Sequence, residues 1–207
     1  MTVDASRFAP LRNVGLFSAA YLLAASVFAL QLHNWEFVYY IAVVLILACA
    51  AIAVHLRVKL SSGVVWGLSI WGLLHMVGGL VPVPLSWPVN GVNHVFYSWW
   101  LIPGFLKYDH VVHAYGFGIS TWLCWQALRC ALKNVYPTSG ILVLCAIGGM
   151  GLGALNEVVE FVATLAIPNT NVGGYINTGW DLVANLVGSV TAAFLIGIFE
   201  GKKTQTT

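Results

Sequence analysis

Four of the seven carboxylates in this 207-residue chain lie inside apolar segments or at the edge of one. These four are Asp109, Glu157, Glu160 and Asp181, and two histidines, His75 and His113, occupy similar positions. A charged side chain at the centre of a bilayer costs about 2.5–3.5 kcal/mol on insertion scales, so such residues usually serve a purpose. The pattern therefore predicts a buried polar site within an apolar protein.

The residue types in this set are those of a metal site or of acid–base catalysis. Carboxylate and imidazole groups are ligands for zinc, iron and manganese, and Glu and His at helical spacing build di-metal centres in helix bundles. A divalent cation would also offset negative charges that repel one another in a low dielectric. We expect the main ligands, or the general acid and base, to be Asp109, His113, Glu157 and Glu160.

Four further polar residues are expected to complete or orient that group of ligands. They are His75, His110, Asp181 and Asn185. Other interpretations stay open: the acids could be protonated, could pair with the histidines in a structural network, or could line a proton or ion path. Two facing histidines could also bind haem, but four nearby carboxylates and the lack of a Cys-x-x-Cys-His motif argue against it.

The composition places these residues in a membrane. The chain is 59% hydrophobic and 8% charged, with a mean hydropathy of +0.85, whereas a soluble domain carries about 25% charged residues. Its net charge of +2 is too small and dispersed for a nucleic-acid surface, so no such partner is expected. None of the four cysteines forms a Cys-x-x-Cys pair, and we interpret them as apolar packing residues.

Six apolar segments are long enough to cross a bilayer, for which about 20 helical residues suffice. They cover residues 13–32, 37–56, 63–81, 109–131, 138–166 and 178–199. The sequence therefore predicts an all-α integral membrane protein, a six-transmembrane-helix bundle that forms one polytopic domain over residues 1–207. The connection 82–108 is rich in proline and aromatic residues and is expected to lie at the membrane interface.

Lysine and arginine are distributed unevenly between the two ends of these segments. Of the nine, only Lys107 lies at one end, and the others are Arg7, Arg12, Arg57, Lys59, Arg129, Lys133, Lys202 and Lys203. Because cytoplasmic loops carry the excess of positive charge, both termini are expected in the cytoplasm. The candidate site residues then all fall in the outer half of the membrane, namely His75, Asp109, His113, Glu157, Glu160, Asp181 and Asn185.

Helical spacing also predicts which face of the fifth segment is turned inward. Glu157 and Glu160 share a face with Gly149, Gly153 and Thr164. Small residues permit close approach between helices in a membrane. This stripe is therefore expected to face other helices, with its carboxylates pointing into the bundle.

Three motifs occur in a fixed order along the chain. They are Tyr108-Asp109-His110-Val111-Val112-His113, Glu157-Val158-Val159-Glu160, and Trp180-Asp181 followed by Asn185. They resemble the Tyr-Asp-Arg-x-x-His, Glu-x-x-Glu-Trp and Trp-Asp motifs of the YjdF-like family of bacterial inner-membrane proteins. The spacing from Asp181 through Asn185 to Gly188 also resembles that of VanZ-like proteins. The resemblance covers about residues 70–195 and implies a place in the bacterial inner membrane, without implying a reaction.

Four departures from the YjdF-like pattern occur within or beside these motifs. His110 stands where the family has Arg, and Phe161 stands where it has Trp. Asn177-Thr178-Gly179 replaces the family's Gln-Gly-Asp, and Asn185 stands where many members have a second acid. An earlier stretch, His75 to Gly79, resembles the family's helix with a His before a pair of glycines. The resemblance therefore strengthens the position of the site rather than its chemistry.

Together these features favour a membrane-embedded enzyme or binding protein whose outward-facing site acts on a lipid or lipid-linked molecule. The expected cofactor is a divalent metal, zinc, iron or manganese. The expected partners are membrane lipid, a lipid-linked substrate and other membrane subunits. Two alternatives stay open: a non-catalytic subunit of a larger membrane complex, and a small transporter with an intramembrane proton or ion path.

Overall fold

A computed structural model describes residues 9–91, 93–132, 135–168 and 170–204 of the chain. Most of these residues belong to six long helices: α1 (Ala9–Gln31), α2 (Trp35–Val58), α3 (Ser62–Leu80), α4 (Tyr108–Ala131), α5 (Ser139–Ala166) and α6 (Tyr175–Thr204). Each helix coincides with one of the apolar segments. The largest difference is at the end of α6, which reaches Thr204 rather than residue 199. Arg7 and Lys133, used to predict sidedness, lie outside the described residues.

Five of the six helices, all except α4, have the length and composition of a membrane span. Helix α4 is long enough at 24 residues, but its buried residues include His110, His113, Ser120 and Thr121. It packs against α3, α5 and α6. A helix that is enclosed by other helices presents few of its side chains to lipid, which accounts for its more polar composition.

The connection between α3 and α4 is a folded cap rather than a plain interfacial loop. It contains a short 3-10 helix (Phe96–Ser98) and two antiparallel strands, β1 (Trp100–Ile102) and β2 (Leu106–Lys107). Gly104 turns the chain between the strands with a φ of +74°, a value that suits glycine. Together with residues 167–174, which join α5 to α6, this cap marks one end of the bundle, which we call the loop end.

Helices α4, α5 and α6 approach one another through small residues. A Cβ atom added at Gly118 would lie 3.2 Å from the carbonyl oxygen of Gly188, so α4 and α6 are nearly in backbone contact. A Cβ atom at Gly153 of α5 would lie 2.6 Å from the Asn185 amide nitrogen. Such close packing is typical of helix interfaces in membranes, and it brings the polar faces of the three helices together.

The prediction that one stripe of residues on α5 faces other helices is confirmed in part. Gly149 and Gly153 are buried, but Thr164 is exposed, and its hydroxyl donates to the Phe161 carbonyl within its own helix at 2.7 Å. The fully buried residue at that level is Ala163. Including Thr164 in the stripe was wrong, because in the last turn of α5, which ends at Ala166, the buried side chain is Ala163.

Candidate metal centre

Three helices carry their polar residues to the same level at the loop end. Asp109 and His113 lie in the first turns of α4, Glu157 and Glu160 lie near the end of α5, and Asp181 lies in α6. Because α4 and α6 begin at the loop end and α5 ends there, residues far apart in the sequence meet. The result is a group of ionisable side chains that are almost entirely shielded from solvent.

His113 lies at the centre of this group. Its Nε2 atom is 3.6 Å from Oδ1 of Asp109 and 3.9 Å from Oε1 of Glu160. Its Nδ1 atom is 3.6 Å from Oε1 of Glu157. These separations exceed hydrogen-bond distances, whereas two donors each about 2.1 Å from one tetrahedral ion stand about 3.4 Å apart. The spacings from Nε2 to Asp109 and Glu160 therefore suit a cation between the groups better than direct bonds.

The orientation of the His113 ring is set by Asn185 on α6. The Nδ1 atom lies 3.0 Å from the Asn185 amide oxygen, and because that oxygen only accepts, Nδ1 is the donor. The lone pair of a neutral ring is then on Nε2, which faces the carboxylates of Asp109 and Glu160. A histidine fixed in this way by an outer partner is a common arrangement for a metal ligand.

Asp181 joins the group through Asn177, one helical turn earlier on α6. The Asn177 amide donates to Oδ2 of Asp181 at 2.5 Å and to Oδ2 of Asp109 at 3.4 Å. Lys107 lies 3.4 Å from Asp109 and also hydrogen-bonds the Asn177 amide oxygen. Among the described residues, one lysine lies beside these four carboxylates, so those that are ionised have little positive charge to offset them.

Several carboxylate oxygens of the group have no hydrogen-bond partner among the described residues. They are both oxygens of Glu157 and Oδ1 of Asp181. The Glu157 side chain is only 9% exposed, and Asp181 is fully buried. Burying an unpaired charged group is costly, so these oxygens need a cation, a proton or a water molecule as a partner.

Two sets of three donors lie close enough to share an ion. Asp109, His113 and Asp181 form one set, and His113, Glu157 and Glu160 form the other, with all donor atoms of a set within 4.8 Å of one another. Carboxylate and imidazole donors of this kind fit zinc, iron or manganese. The residues present therefore fit a divalent cation at His113.

His75 lies near this group but has its own partner. Its Nδ1 atom is hydrogen-bonded to the hydroxyl of Tyr97 in the cap. Burial raises the pKa of the Tyr97 phenol well above its usual value, with the Asp109 carboxylate as a further cause, so the hydroxyl remains protonated and donates. The structure thus gives His75 a place on the cavity wall rather than beside His113.

His110 is not brought into the group around His113. Its ring stacks against Trp180 with the centroids 5.9 Å apart, and its Nδ1 accepts from the Lys107 backbone N–H at 3.3 Å. The ring therefore caps the first turn of α4 and packs against Trp100 and Trp180. Within the part of the chain that the structure describes, His110 forms no ion pair with a carboxylate.

A cavity of about 260 Å³ leads from the loop end to the carboxylates. Asp109, Glu160 and His75 are part of its wall, and both loop-end connections contribute to it. Glu36 at the start of α2 accepts the Asn171 backbone N–H with both oxygens, at 3.0 and 2.9 Å. This bond ties the second connection to α2 across the cavity, so the cavity has a fixed rim.

Sequence reasoning missed several polar residues of the site. Asn156 donates to Glu160 at 2.8 Å, and Asn177 binds Asp181; both pairs are four residues apart, a spacing that could have found them. Lys107 could have been found as the one cation at the loop end. No sequence signal marks Tyr97, because a loop brings it to the site.

Comparisons with known proteins agree with this description at a coarse level. No curated protein matches the chain, and no solved structure does. The family described as "Predicted membrane protein (DUF2238)" matches residues 12–202. This match confirms the prediction of a membrane protein, while the likeness to YjdF-like and VanZ-like proteins is carried by the motifs alone. The chain therefore belongs to the DUF2238 family of predicted membrane proteins.

Proposed function

We propose that this protein is a membrane-embedded enzyme or binding protein whose site holds a divalent metal and acts on a lipid or lipid-linked molecule. One observation carries the proposal. Four carboxylates lie around one buried imidazole in two overlapping sets of possible metal donors, and the oxygens of Glu157 and Oδ1 of Asp181 have no hydrogen-bond partner among the described residues. A structural network would instead pair these atoms with donors.

The residues that would hold the metal are Asp109, His113, Glu157, Glu160 and Asp181. A divalent metal supplies Lewis acidity and lowers the pKa of a bound water. Asn185 keeps the His113 ring in place, and Lys107 and Asn177 hold Asp109.

The proposal includes the placement of the bundle in the membrane. Helix α4 crosses the bilayer as the sixth span, both termini are cytoplasmic, and the loop end faces outward in the bacterial inner membrane. The distribution of Lys and Arg and the resemblance to YjdF-like and VanZ-like proteins support this placement. Exposed Leu85 and Phe105 give the cap an apolar surface that suits the membrane interface.

Cysteine labelling tests the placement. In a background without native cysteines, Ser86→Cys in the cap and Thr138→Cys before α5 provide exposed thiols at opposite ends of the bundle. In intact cells, a membrane-impermeant thiol reagent is expected to label the first variant and not the second. Labelling of the second alone would place the site on the cytoplasmic side.

Metal-dependent stability tests the site itself. Glu160→Gln keeps the size of the side chain and removes its charge, and His113→Ala removes the central donor. An ion at 100 times its Kd stabilises a protein by about 2.7 kcal/mol, so wild-type protein in detergent should melt at a higher temperature with added metal. Both variants should lose this gain, whereas Glu200→Gln at the far end of α6 should keep it.

The same experiment separates the metal site from the structural network. If the cluster is structural, His113→Ala lowers the melting temperature equally with and without metal, because it leaves buried partners unpaired. If Glu160→Gln or His113→Ala instead melts like the wild type and responds to metal like the wild type, the site proposal fails. That result would favour a role as a non-catalytic subunit of a larger membrane complex.

A further inference from the structure

A second cavity lies between α1, α2 and α3. It is a groove of about 370 Å³ with an almost wholly apolar wall, to which Leu22, Val44 and Leu68 contribute one residue from each helix. The nearby packing is loose enough that a Cβ atom added at Gly15, which lines the groove, meets nothing within 4 Å. The groove therefore offers space for hydrocarbon within the membrane-spanning part of the bundle.

The groove and the loop-end cavity meet at two residues. Tyr40 and His75 line both. The Tyr40 hydroxyl is buried and has no hydrogen-bond partner in the described part of the chain. An apolar groove thus lies beside a polar cavity, with an unpaired hydroxyl in the wall that they share, which is the arrangement that an amphiphile with a polar head requires.

The length of the groove limits the kind of chain that fills it. Along α2 it runs from Tyr40 to His55, which is about 22 Å at about 1.5 Å per residue. The hydrocarbon core of a bilayer is about 30 Å thick, so one leaflet is about 15 Å deep. An acyl chain of an ordinary phospholipid in a fluid bilayer ends near the bilayer centre, whereas a chain that fills this groove must lie extended over its full length.

We propose that the ligand is a lipid with one hydrocarbon chain longer than a bilayer leaflet, as in polyisoprenyl lipids. The chain lies in the groove between α1, α2 and α3, and the oxygen-bearing head lies in the loop-end cavity near Tyr40 and His75. This inference rests on the proposed function, because it assigns a substrate class to the same site. Phosphate or hydroxyl oxygens of the head can ligate a divalent ion held beside His113.

Photocrosslinking with two probes of the same head tests the inference. A polyisoprenyl phosphate with a chain longer than a leaflet and farnesyl phosphate each carry a diazirine at the chain end. In nanodiscs of dioleoyl phosphatidylcholine, the long probe should label residues near His55, at the far end of the groove. The short probe should label residues near Val44 or not react.

Two tryptophan variants on α2 provide a matched pair. Ala51 lines the groove, whereas Ala53 is exposed on the same helix and does not line it. Ala51→Trp should reduce labelling by the long probe about tenfold, the change expected for about 1.4 kcal/mol of lost binding. Ala53→Trp should leave the labelling unchanged.

The outcomes separate this inference from the proposed function when metal response is measured on the same samples. Equal labelling of exposed faces elsewhere, or unchanged labelling in Ala51→Trp, would overturn the groove assignment. If the metal response persists in that case, the metal site stands and the lipid class is wrong. Specific labelling near His55 without any metal response would support the lipid class and overturn the metal site.

Discussion

The two halves of this bundle are packed in different ways. Helices α4, α5 and α6 meet through glycines and buried polar groups, and a Cβ atom at Gly188 would lie 2.6 Å from the Ala114 carbonyl carbon. Around α1, α2 and α3, large apolar side chains such as Phe37 and Met76 pack together and leave a groove beside them. Ionisable groups that share one ion need fixed positions, whereas a hydrocarbon chain needs space. The comparison teaches that one small membrane protein can contain both a tightly packed half, which fixes ionisable groups, and a loosely packed half, which has space for a hydrocarbon chain.

The largest effect is expected at the tight half. In Gly188→Leu the new side chain would meet the backbone of α4 at Ala114, which cannot move cheaply. Overpacking of this kind costs about 3 kcal/mol or more, so the variant should unfold or aggregate in a detergent thermal-shift assay. Gly151→Leu on α5, where a Cβ atom meets nothing within 4 Å, is the control and should behave like the wild type. Normal melting of Gly188→Leu would show that the two halves do not differ in tightness.

A smaller effect is expected where the tight half orients the central histidine. Asn185→Ala removes the partner of His113 Nδ1, and loss of such an outer partner typically lowers metal affinity about 10- to 100-fold. Metal titration followed by melting temperature measures this shift. Ser189→Ala, one turn further along α6, should leave the affinity unchanged, and an equal shift in both variants would mean that Asn185 has no special role.

Tyr97→Phe tests the contact between the cap and the wall shared by the two cavities. It removes the hydroxyl that hydrogen-bonds His75, which should cost about 1 kcal/mol of unfolding free energy. Tyr136, which is 55% exposed, provides the control, and Tyr136→Phe should have no effect. Equal stability of both variants would argue that the cap does not hold His75.

The smallest effect is expected at the end opposite the loop end. Arg129 pairs with Glu200 at 2.5 Å, but the arginine side chain is 51% exposed. An exposed ion pair contributes about 0–1 kcal/mol, so Arg129→Ala should lower the melting temperature slightly, and more at low salt than at high salt. A loss comparable to that of Gly188→Leu would mean that both ends of the bundle are equally important for its stability.

The sequence predicts the helices and much of the site because both follow simple spacing. Asp109 and His113 are one turn apart at the start of a helix, so their convergence could be foreseen. His110 follows Asp109 by one residue, which rotates it about 100° around the helix and away from the group. Tyr97 reaches the cavity through a folded connection that has no periodicity, and Glu36 at the start of α2 is bound by Asn171 of another such connection. The groove could not be foreseen at all, because its apolar residues do not differ from those that face lipid.

The metal content of the purified protein tests the central claim most directly. Protein purified without chelator, after growth with zinc, iron and manganese, should carry about one divalent ion per chain by elemental analysis. His113→Ala and Glu157→Gln should lose that ion while remaining helical and monodisperse, and Glu200→Gln should retain it. Metal-free wild-type protein under these conditions, or an equal ion content in His113→Ala, would contradict a metal centre at His113.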